Sequence, residues 1–343
     1  MHEVILERPG SLVLREGAEP LPPGPGEALV AVRRVGICGT DLHAYGGHQN
    51  FFAYPRVLGH ELAVEVLDVG AGVDRVGAGD RCAVLPYLTC GSCGVCVHGR
   101  TNCCEHIDVL GVTLDGGLRE RMLLPVAHLF PDPTLSYDQL VLVETLGIGW
   151  HAVVRGDPGT HDRVLILGAG PIGLAVAQAV KLRSDDVLIA DSAPERVAFA
   201  ASIGLASVLV DGDIEARVRE HGRGRLPTMV FDATGNRASM RSALALTAHG
   251  GVVVFVGHTT GDIAIHNPTF HARELDLRAS RNATSADWSG VIDAVRSGSL
   301  DATGWINHRT TLDGIVDELP RISAAPGRTV KSVVDIGLAE VQA

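Results

Sequence analysis

Apolar and polar positions trade places along this chain in two different rhythms. Through residues 1 to about 35 they alternate at short range, in Glu3-Val4-Ile5-Leu6, Leu12-Val13-Leu14 and Ala28-Leu29-Val30-Ala31-Val32, and the Pro/Gly run from Pro20 to Gly26 interrupts them. That pattern predicts short antiparallel strands joined by turns. Further strands are predicted over 62–70 and 80–84, punctuated by Gly70, Gly72, Gly77 and Gly79. Half-polar strands with glycine turns indicate a small barrel-like β domain.

From about Val141 the rhythm changes. An apolar strand, Val164-Leu165-Ile166-Leu167, runs into Gly168-Ala169-Gly170-Pro171-Ile172-Gly173 and then an apolar helix over 174–182. Strands over 187–190, 207–210, 229–235 and 252–257 alternate with helices over 193–203, 214–220 and 238–248. Strand and helix alternating at this rate predict a doubly wound parallel sheet from roughly 145 to 280. Helices over 287–296 and 311–322 and a last strand over 331–334 follow. This tail is expected to return to the first domain. The expected domains are therefore 1–144, carrying a cysteine-rich lobe at about 88–106, then 145–280, then a returning segment, 281–343.

Strand, G-x-G-x-x-G and helix in succession form a dinucleotide fingerprint. Gly168 permits the turn, Gly170 lets the backbone reach a pyrophosphate, and Gly173 lets helix and strand pack closely. Pro171 and Ile172 complete the loop at the helix N-terminus, where free N–H groups favour an anion. The second strand ends in Asp191, eighteen residues beyond Gly173. A carboxylate there accepts bonds from ribose hydroxyls and repels a 2′-phosphate, which selects NAD over NADP. Arg196 pulls the other way if it turns toward a phosphate, and otherwise reads as a helix-surface arginine. Thr234 and Gly257 end later strands on the same ligand-binding edge.

Size and charge narrow the class. With 343 residues, two domains are expected, and the net charge of −11 argues against nucleic acid or an anionic membrane as partner. No apolar run approaches the roughly 20 residues of a membrane span. The first residues lack a signal-peptide pattern, so a cytoplasmic enzyme is expected. In that setting the seven cysteines read as metal ligands before disulfides. Cys90, Cys93 and Cys96, followed by Cys104, have the spacing of a closed tetrahedral zinc site of structural type. Cys103, beside Cys104, leaves the fourth ligand ambiguous by one residue. A second cluster lies in Gly36-Ile37-Cys38-Gly39-Thr40-Asp41-Leu42-His43 and Gly59-His60-Glu61. Thiol, imidazole and carboxylate are groups that zinc prefers, and Gly39 and Gly59 are expected to allow close approach. Each residue also has a plainer reading: Cys38 as a small buried apolar residue, His60 and Glu61 as a polar loop pair, Thr40 as a helix cap, His43 as a surface histidine.

Taken together, Cys38, the four-cysteine lobe, the Gly168–Gly173 fingerprint and Asp191 resemble the zinc-containing medium-chain dehydrogenases, over nearly the whole chain. The resemblance implies an α/β protein with a GroES-like β-barrel catalytic domain and a doubly wound parallel-sheet Rossmann domain. It implies two zinc ions per chain and NAD. Cys38, His60 and Glu61 would lie in the catalytic zinc shell, and Glu144 matches a further ligand position. A carboxylate at Glu144, where alcohol dehydrogenases usually carry cysteine, points to the polyol and sugar branch; the two carboxylates are not ranked by sequence. The spacing of the family also prefers Cys104 as the fourth lobe ligand, leaving Cys82 and Cys103 as spare thiols. Thr40 and His43 would relay the substrate proton to solvent, and Phe51, Phe52 and Tyr54 would either line the substrate pocket or fill core. The loop 49–61 looks like that of bacterial sugar-acid dehydrogenases.

The expected activity is oxidation of a secondary alcohol of a polyol, sugar or sugar acid, with an L-galactonate-like substrate among the options. The expected assembly is a homotetramer, with a dimer as the other option. The alternatives are a zinc alcohol dehydrogenase acting on simple alcohols or L-threonine, a metal-free quinone-type reductase, and a zinc-ribbon interaction module with a redox-sensing nucleotide domain.

Overall fold

The computed structural model of the chain describes residues 1–49, 52–325 and 327–337. Phe51, one of the residues considered for the substrate pocket, and residues 338–343 lie outside them. The chain divides into two compact units, Met1–Glu144 with Thr284–Ala343, and Thr145–Ala283.

The first unit is built around one long strand, Glu27–Ile37. It pairs antiparallel with Glu61–Val69, with Arg121–Pro125 and with the C-terminal strand Lys331–Asp335. Alternating Val30, Val32 and Val35 bury one face of it in a core shared with Leu62, Val64, Leu124 and Val334. The register has a consequence for the chemistry. Gly36 lies opposite Glu61, and Ile37 opposite Ser332, so the residues at 38, 60–61 and 331 meet at one end of three adjacent strands. Gly36 is needed there, because a Cβ at this position would run into the Glu61 carboxylate. Gly59 has φ +95° and Val35 packs against it, whereas Gly39 faces open space, so the crowding falls on Gly36 and Gly59 and not on Gly39.

The second unit holds a six-stranded, all-parallel sheet in the order Ala206–Leu209, Val187–Asp191, Val164–Leu167, Met229–Asp232, Val252–Phe255, Asp276–Ala279. The strand order reverses between Val164–Leu167 and Met229–Asp232, the crevice where such folds bind nucleotides.

The β-rich first unit and the parallel-sheet second unit agree with the sequence expectation, and most predicted elements fall within a few residues of those observed. One predicted element differs, and several observed ones were not predicted. Residues 311–322 were expected as one helix. Instead Ile306–Thr311 is a strand and the helix is Ile315–Ala324. Its exposure alternates along 306–311, and the β-branched Thr310 and Thr311 favour the extended form before Gly314 begins the turn. The strand Asp276–Ala279 reads as half polar because it is a sheet edge, and Val143–Gly156 forms a helix despite Gly147 and Gly149.

Helix Ser285–Arg296 of the returning segment is tied to the strand region 129–132 by one buried carboxylate. Asp132 accepts from Thr134 N (2.8 Å), Thr134 Oγ1 (2.6 Å), Leu135 N (3.1 Å) and Arg296 Nε (2.8 Å). Burial pushes its pKa up, but the bonds from Thr134 and Arg296 outweigh that and hold it below the usual carboxylate value. A depressed carboxylate stabilises the fold above its unfolded pKa of about 3.9, and the contribution is lost as pH falls through the folded value. Asp132→Asn is therefore expected to lose about 1–3 kcal/mol near neutral pH. The gap from the parent in denaturant titrations should narrow below about pH 4; a gap that stays constant on acidification contradicts this.

Candidate functional site

The strand register delivers three donors to one place. Ligand atoms of Cys38, His60 and Glu61 all lie within 4.8 Å of one another, with His60 and Glu61 buried. A thiolate, an imidazole and a carboxylate form a set zinc accepts. Nδ1 of His60 is buried and makes no hydrogen bond among the described residues. Cys38 precedes helix Gly39–Tyr45, and Asp41 on that helix accepts from Cys38 N at 2.8 Å and Gly59 N at 3.3 Å. Its Oδ1 stands 3.9 Å from His60 Nδ1. One buried carboxylate thus ties the backbone at 38 to that at 59 and faces the imidazole. A carboxylate beside a metal-binding histidine orients the ring and raises its basicity.

Thr40 Oγ1 lies 3.8 Å from Cys38 Sγ, and His43 sits on the exposed side of the same helix, one turn on. Glu144, at the start of helix Val143–Gly156, is buried nearby and outside the 4.8 Å set; the Tyr87 hydroxyl donates to its Oε1. Phe52 and Tyr54 pack against the core, ring centroids 4.8 Å apart, and Tyr54 donates to Ala44 O at 2.6 Å, so this pair fills core.

Sequence reasoning assigned no role to three residues here: Asp41, Tyr87 and Lys331. Lys331 begins the C-terminal strand, is 2% exposed, and donates to both oxygens of Glu61. A lysine inside an apolar strand was the available signal, since lysine is almost never fully buried unless paired. The charges act on one another. Burial disfavours the charged form of Lys331, but Glu61 outweighs it and raises the lysine pKa. Burial also works against His60⁺, yet Asp41 and Cys38 hold its pKa well above the usual value. Burial and the nearby Glu61 raise Glu144. A metal ion must displace the His60 proton, so affinity is expected to fall as pH falls.

The cysteine lobe is a second donor set. Ligand atoms of Cys90, Cys93, Cys96 and Cys104 lie within 4.8 Å of one another. The Cys104–Cys90 and Cys93–Cys104 sulfurs are 3.5 and 3.9 Å apart, close to the roughly 3.8 Å edge of a zinc–sulfur tetrahedron. Backbone N–H groups of Ser92 and Cys93 pull the Cys90 thiol down to about 6, which favours the thiolate a metal needs. Cys104 belongs to the set and Cys103 does not; Cys103 faces Arg100 instead. Cys82 is buried in Arg81–Val84, and burial pushes its thiol up to about 12. The paired strands Tyr87–Leu88 and Asp108–Val109 close the lobe at its base.

In the second unit, Gly168 has φ +97°, the left-handed region glycine favours, and Thr234 packs against it. A Cβ at Gly173 would strike the Gly168 carbonyl, so helix Pro171–Lys181 packs close on its strand, with Gly170 at the cap, Pro171 leading and Ile172 following. A Cβ at Gly257 would likewise strike the backbone of Gly235. Thr234 Oγ1 donates to Asp232 at 2.7 Å. Asp191 is buried at the end of its strand, accepting from Ala169 N at 2.7 Å and Ala193 N at 2.8 Å. Arg196 Nη1 stands 3.7 Å from Asp191 Oδ2. The fingerprint glycines, Asp191, Arg196 and Thr234 thus share one end of the sheet.

Residues 24–134 match the family model described as an alcohol dehydrogenase GroES-like domain, and residues 171–297 the one described as a zinc-binding dehydrogenase. The chain is 38% identical to L-galactonate-5-dehydrogenase of Escherichia coli K12 over 337 residues, 97% of this chain and 98% of the relative. It is 31% identical to sorbitol dehydrogenase of Bacillus subtilis 168 over 318 residues, 90% of each chain. Its fold matches the solved structure of a short chain alcohol dehydrogenase (rspB) from E. coli CFT073, complexed with NADH, at TM-score 0.90 and 28% identity. That match covers 98% of this chain and 99% of the other.

If the lobe is held by a metal, Cys93→Ser opens a closed four-sulfur site. The variant is expected to lose one zinc ion per chain and melt several degrees lower, as structural sites contribute folding energy. Unchanged zinc content and an unchanged melting curve would remove the lobe from the list of metal sites.

Proposed function

We propose the following activity for this chain, which belongs to the zinc-binding dehydrogenases with an alcohol dehydrogenase GroES-like domain: it moves a hydride from the carbinol carbon of a secondary alcohol of a polyol, sugar or sugar acid to NAD, while the hydroxyl gives up its proton. Membership makes it a nicotinamide-dependent oxidoreductase. The observation that carries the finer reading is the convergence of half-buried Cys38 with buried His60 and Glu61 in a chain 38% identical to an L-galactonate-5-dehydrogenase.

In this reading Cys38, His60 and Glu61 hold one zinc ion and Cys90, Cys93, Cys96 and Cys104 a second. Bound at the first set, zinc supplies Lewis acidity that lowers the pKa of a substrate hydroxyl. The chain does the rest. Asp41 fixes the loop ends that carry Cys38 and His60. Lys331 balances Glu61, and Glu144 adds negative charge behind the donors. Thr40 Oγ1, close to Cys38 Sγ, would take up the substrate hydroxyl proton as it releases its own, and His43 would pass the released proton to solvent. Gly168, Gly170, Pro171, Ile172 and Gly173 cradle the pyrophosphate at the helix N-terminus. Asp191 takes the adenosine ribose hydroxyls, with Thr234 and Gly257 on the same edge.

NADP is the second reading of the cofactor, favoured by Arg196 at 3.7 Å from Asp191, where it could turn to a 2′-phosphate. NAD is preferred because the buried Asp191 carboxylate would repel that phosphate. A homotetramer, with a dimer as the simpler form, completes the reading. Strand Asp276–Ala279 ends the parallel sheet, and its outer edge pairs with no strand among the described residues. A cytoplasmic location is part of the same proposal; among the described residues no helix is long and apolar enough to cross a membrane.

The direct test is NADH formation from NAD across simple alcohols, L-threonine, polyols and aldonic acids. Turnover of polyols or aldonates is expected; turnover of simple alcohols alone would discard the substrate class. Cys38→Ser should lower kcat/KM about a thousandfold or more with the melting curve unchanged, and near-parental activity would refute the first metal site. Asp191→Asn should shift the NAD:NADP preference at least about tenfold toward NADP. An unmoved ratio would take cofactor selection away from Asp191.

A further inference from the structure

Tyr87 joins the cysteine lobe to the first metal site. It lies on the strand pair at the base of the lobe, opposite Val109. Its ring stands edge-on to Trp288, with centroids 6.2 Å apart and planes at 85°. Both rings are buried, Tyr87 at 4% and Trp288 at 0% exposure. The ring is thus held from two sides, and its hydroxyl donates to Oε1 of Glu144. The two carboxylates of the site are restrained differently. Glu61 lies within the convergent set and is balanced by Lys331. Glu144 stands outside the set and is tied through one oxygen to a rigid phenol.

We propose that Tyr87 is a positioning residue: its hydroxyl latches Glu144 away from the Cys38–His60–Glu61 set and so keeps the site at three protein ligands. This rests on the zinc reading given above. The argument is one of competition. A buried carboxylate needs a partner, and a divalent cation is the strongest one within reach. A flexible donor would lose that contest. A phenol fixed by a strand and by an indole edge keeps its geometry without further loss of freedom, so it can hold the carboxylate. The outcome decides whether the site works. Three protein ligands leave a fourth position for a substrate oxygen, whereas four protein ligands give the closed arrangement of a structural site. Tyr87 would also make the lobe matter to catalysis, since the lobe fixes the strand on which the latch sits.

The test is Tyr87→Phe, which keeps the ring and removes the hydroxyl. It is studied as the full-length, metal-loaded protein with cobalt in place of zinc at the first site. The cobalt d–d absorption bands should change as Glu144 joins the ligands. Release of the metal to a chelator should slow about tenfold or more. KM for the alcohol should rise and kcat fall. In Tyr87→Phe/Glu144→Gln the parental bands and release rate should return, which a merely structural role for the hydroxyl would not produce. Parental bands and release in Tyr87→Phe, with an active zinc-bound parent, would overturn the latch and leave the dehydrogenase reading standing. A parent that takes up metal only in the lobe would overturn both. Where Tyr87→Phe does not fold, Trp288→Phe loosens the same ring; a smaller shift in the same direction supports the latch, and none overturns it.

Discussion

Buried negative charge is the constraint on which the first unit depends. Cys38, Asp41, Glu61 and Glu144 are acidic groups gathered at one end of three strands, and the last three are almost fully buried. Lys331 offsets one of them, and His60, whose charged form Asp41 and Cys38 favour, offsets a second. Taking charges out of water costs several kcal/mol each unless they are matched. A site with this excess is badly placed as an apolar core and well placed as a cradle for a divalent cation. The polar residues around it follow from that. Asp41 holds two backbone N–H groups, Lys331 holds Glu61, and Tyr87 holds Glu144, so each donor is fixed by a partner of its own.

The fold serves the same end through register. The donors are distant in sequence, at 38, 60–61, 144 and 331. They meet because strand Glu27–Ile37 is flanked by Glu61–Val69 on one side and by the C-terminal strand on the other. A one-residue slip of either partner would turn its polar residue to the opposite face. The returning segment is therefore part of the site, since it delivers both Lys331 and Trp288. In the second unit the corresponding constraint is steric. Gly168, Gly173 and Gly257 are places where a Cβ has no room or the backbone turns left-handed, and they bring backbone N–H groups to the end of the sheet.

What could be read from the sequence was chemistry that repeats at short range. The cysteine lobe and the glycine fingerprint were legible because ligands and turns lie within a few residues of one another. The parallel sheet was legible from its alternating strands and helices. Cys38, His60 and Glu61 were grouped by donor chemistry within one stretch of the chain, whereas Glu144, far along it, was added only by resemblance. Lys331 was passed over because it begins an ordinary apolar strand, and its partner lies 270 residues away. Tyr87 was passed over for the same reason, as nothing local marks a tyrosine whose partner is Glu144. The helix expected over 311–322 failed at its start, where β-branched threonines and Gly314 favoured a strand and a turn. Local pattern reached the elements and the local ligand sets. Long-range register supplied the partners that hold those ligands.

The central claim is that this chain binds zinc at two sites of different character, a four-sulfur lobe and a mixed site holding a single sulfur. Zinc content per chain, measured with X-ray absorption at the zinc edge on the same protein, tests it most directly. The account predicts about two zinc ions per chain and a mean first shell of between two and three sulfurs, with nitrogen or oxygen making up the rest. One zinc per chain with four sulfurs and no lighter ligand would contradict it, because the convergent donors Cys38, His60 and Glu61 would then hold no metal.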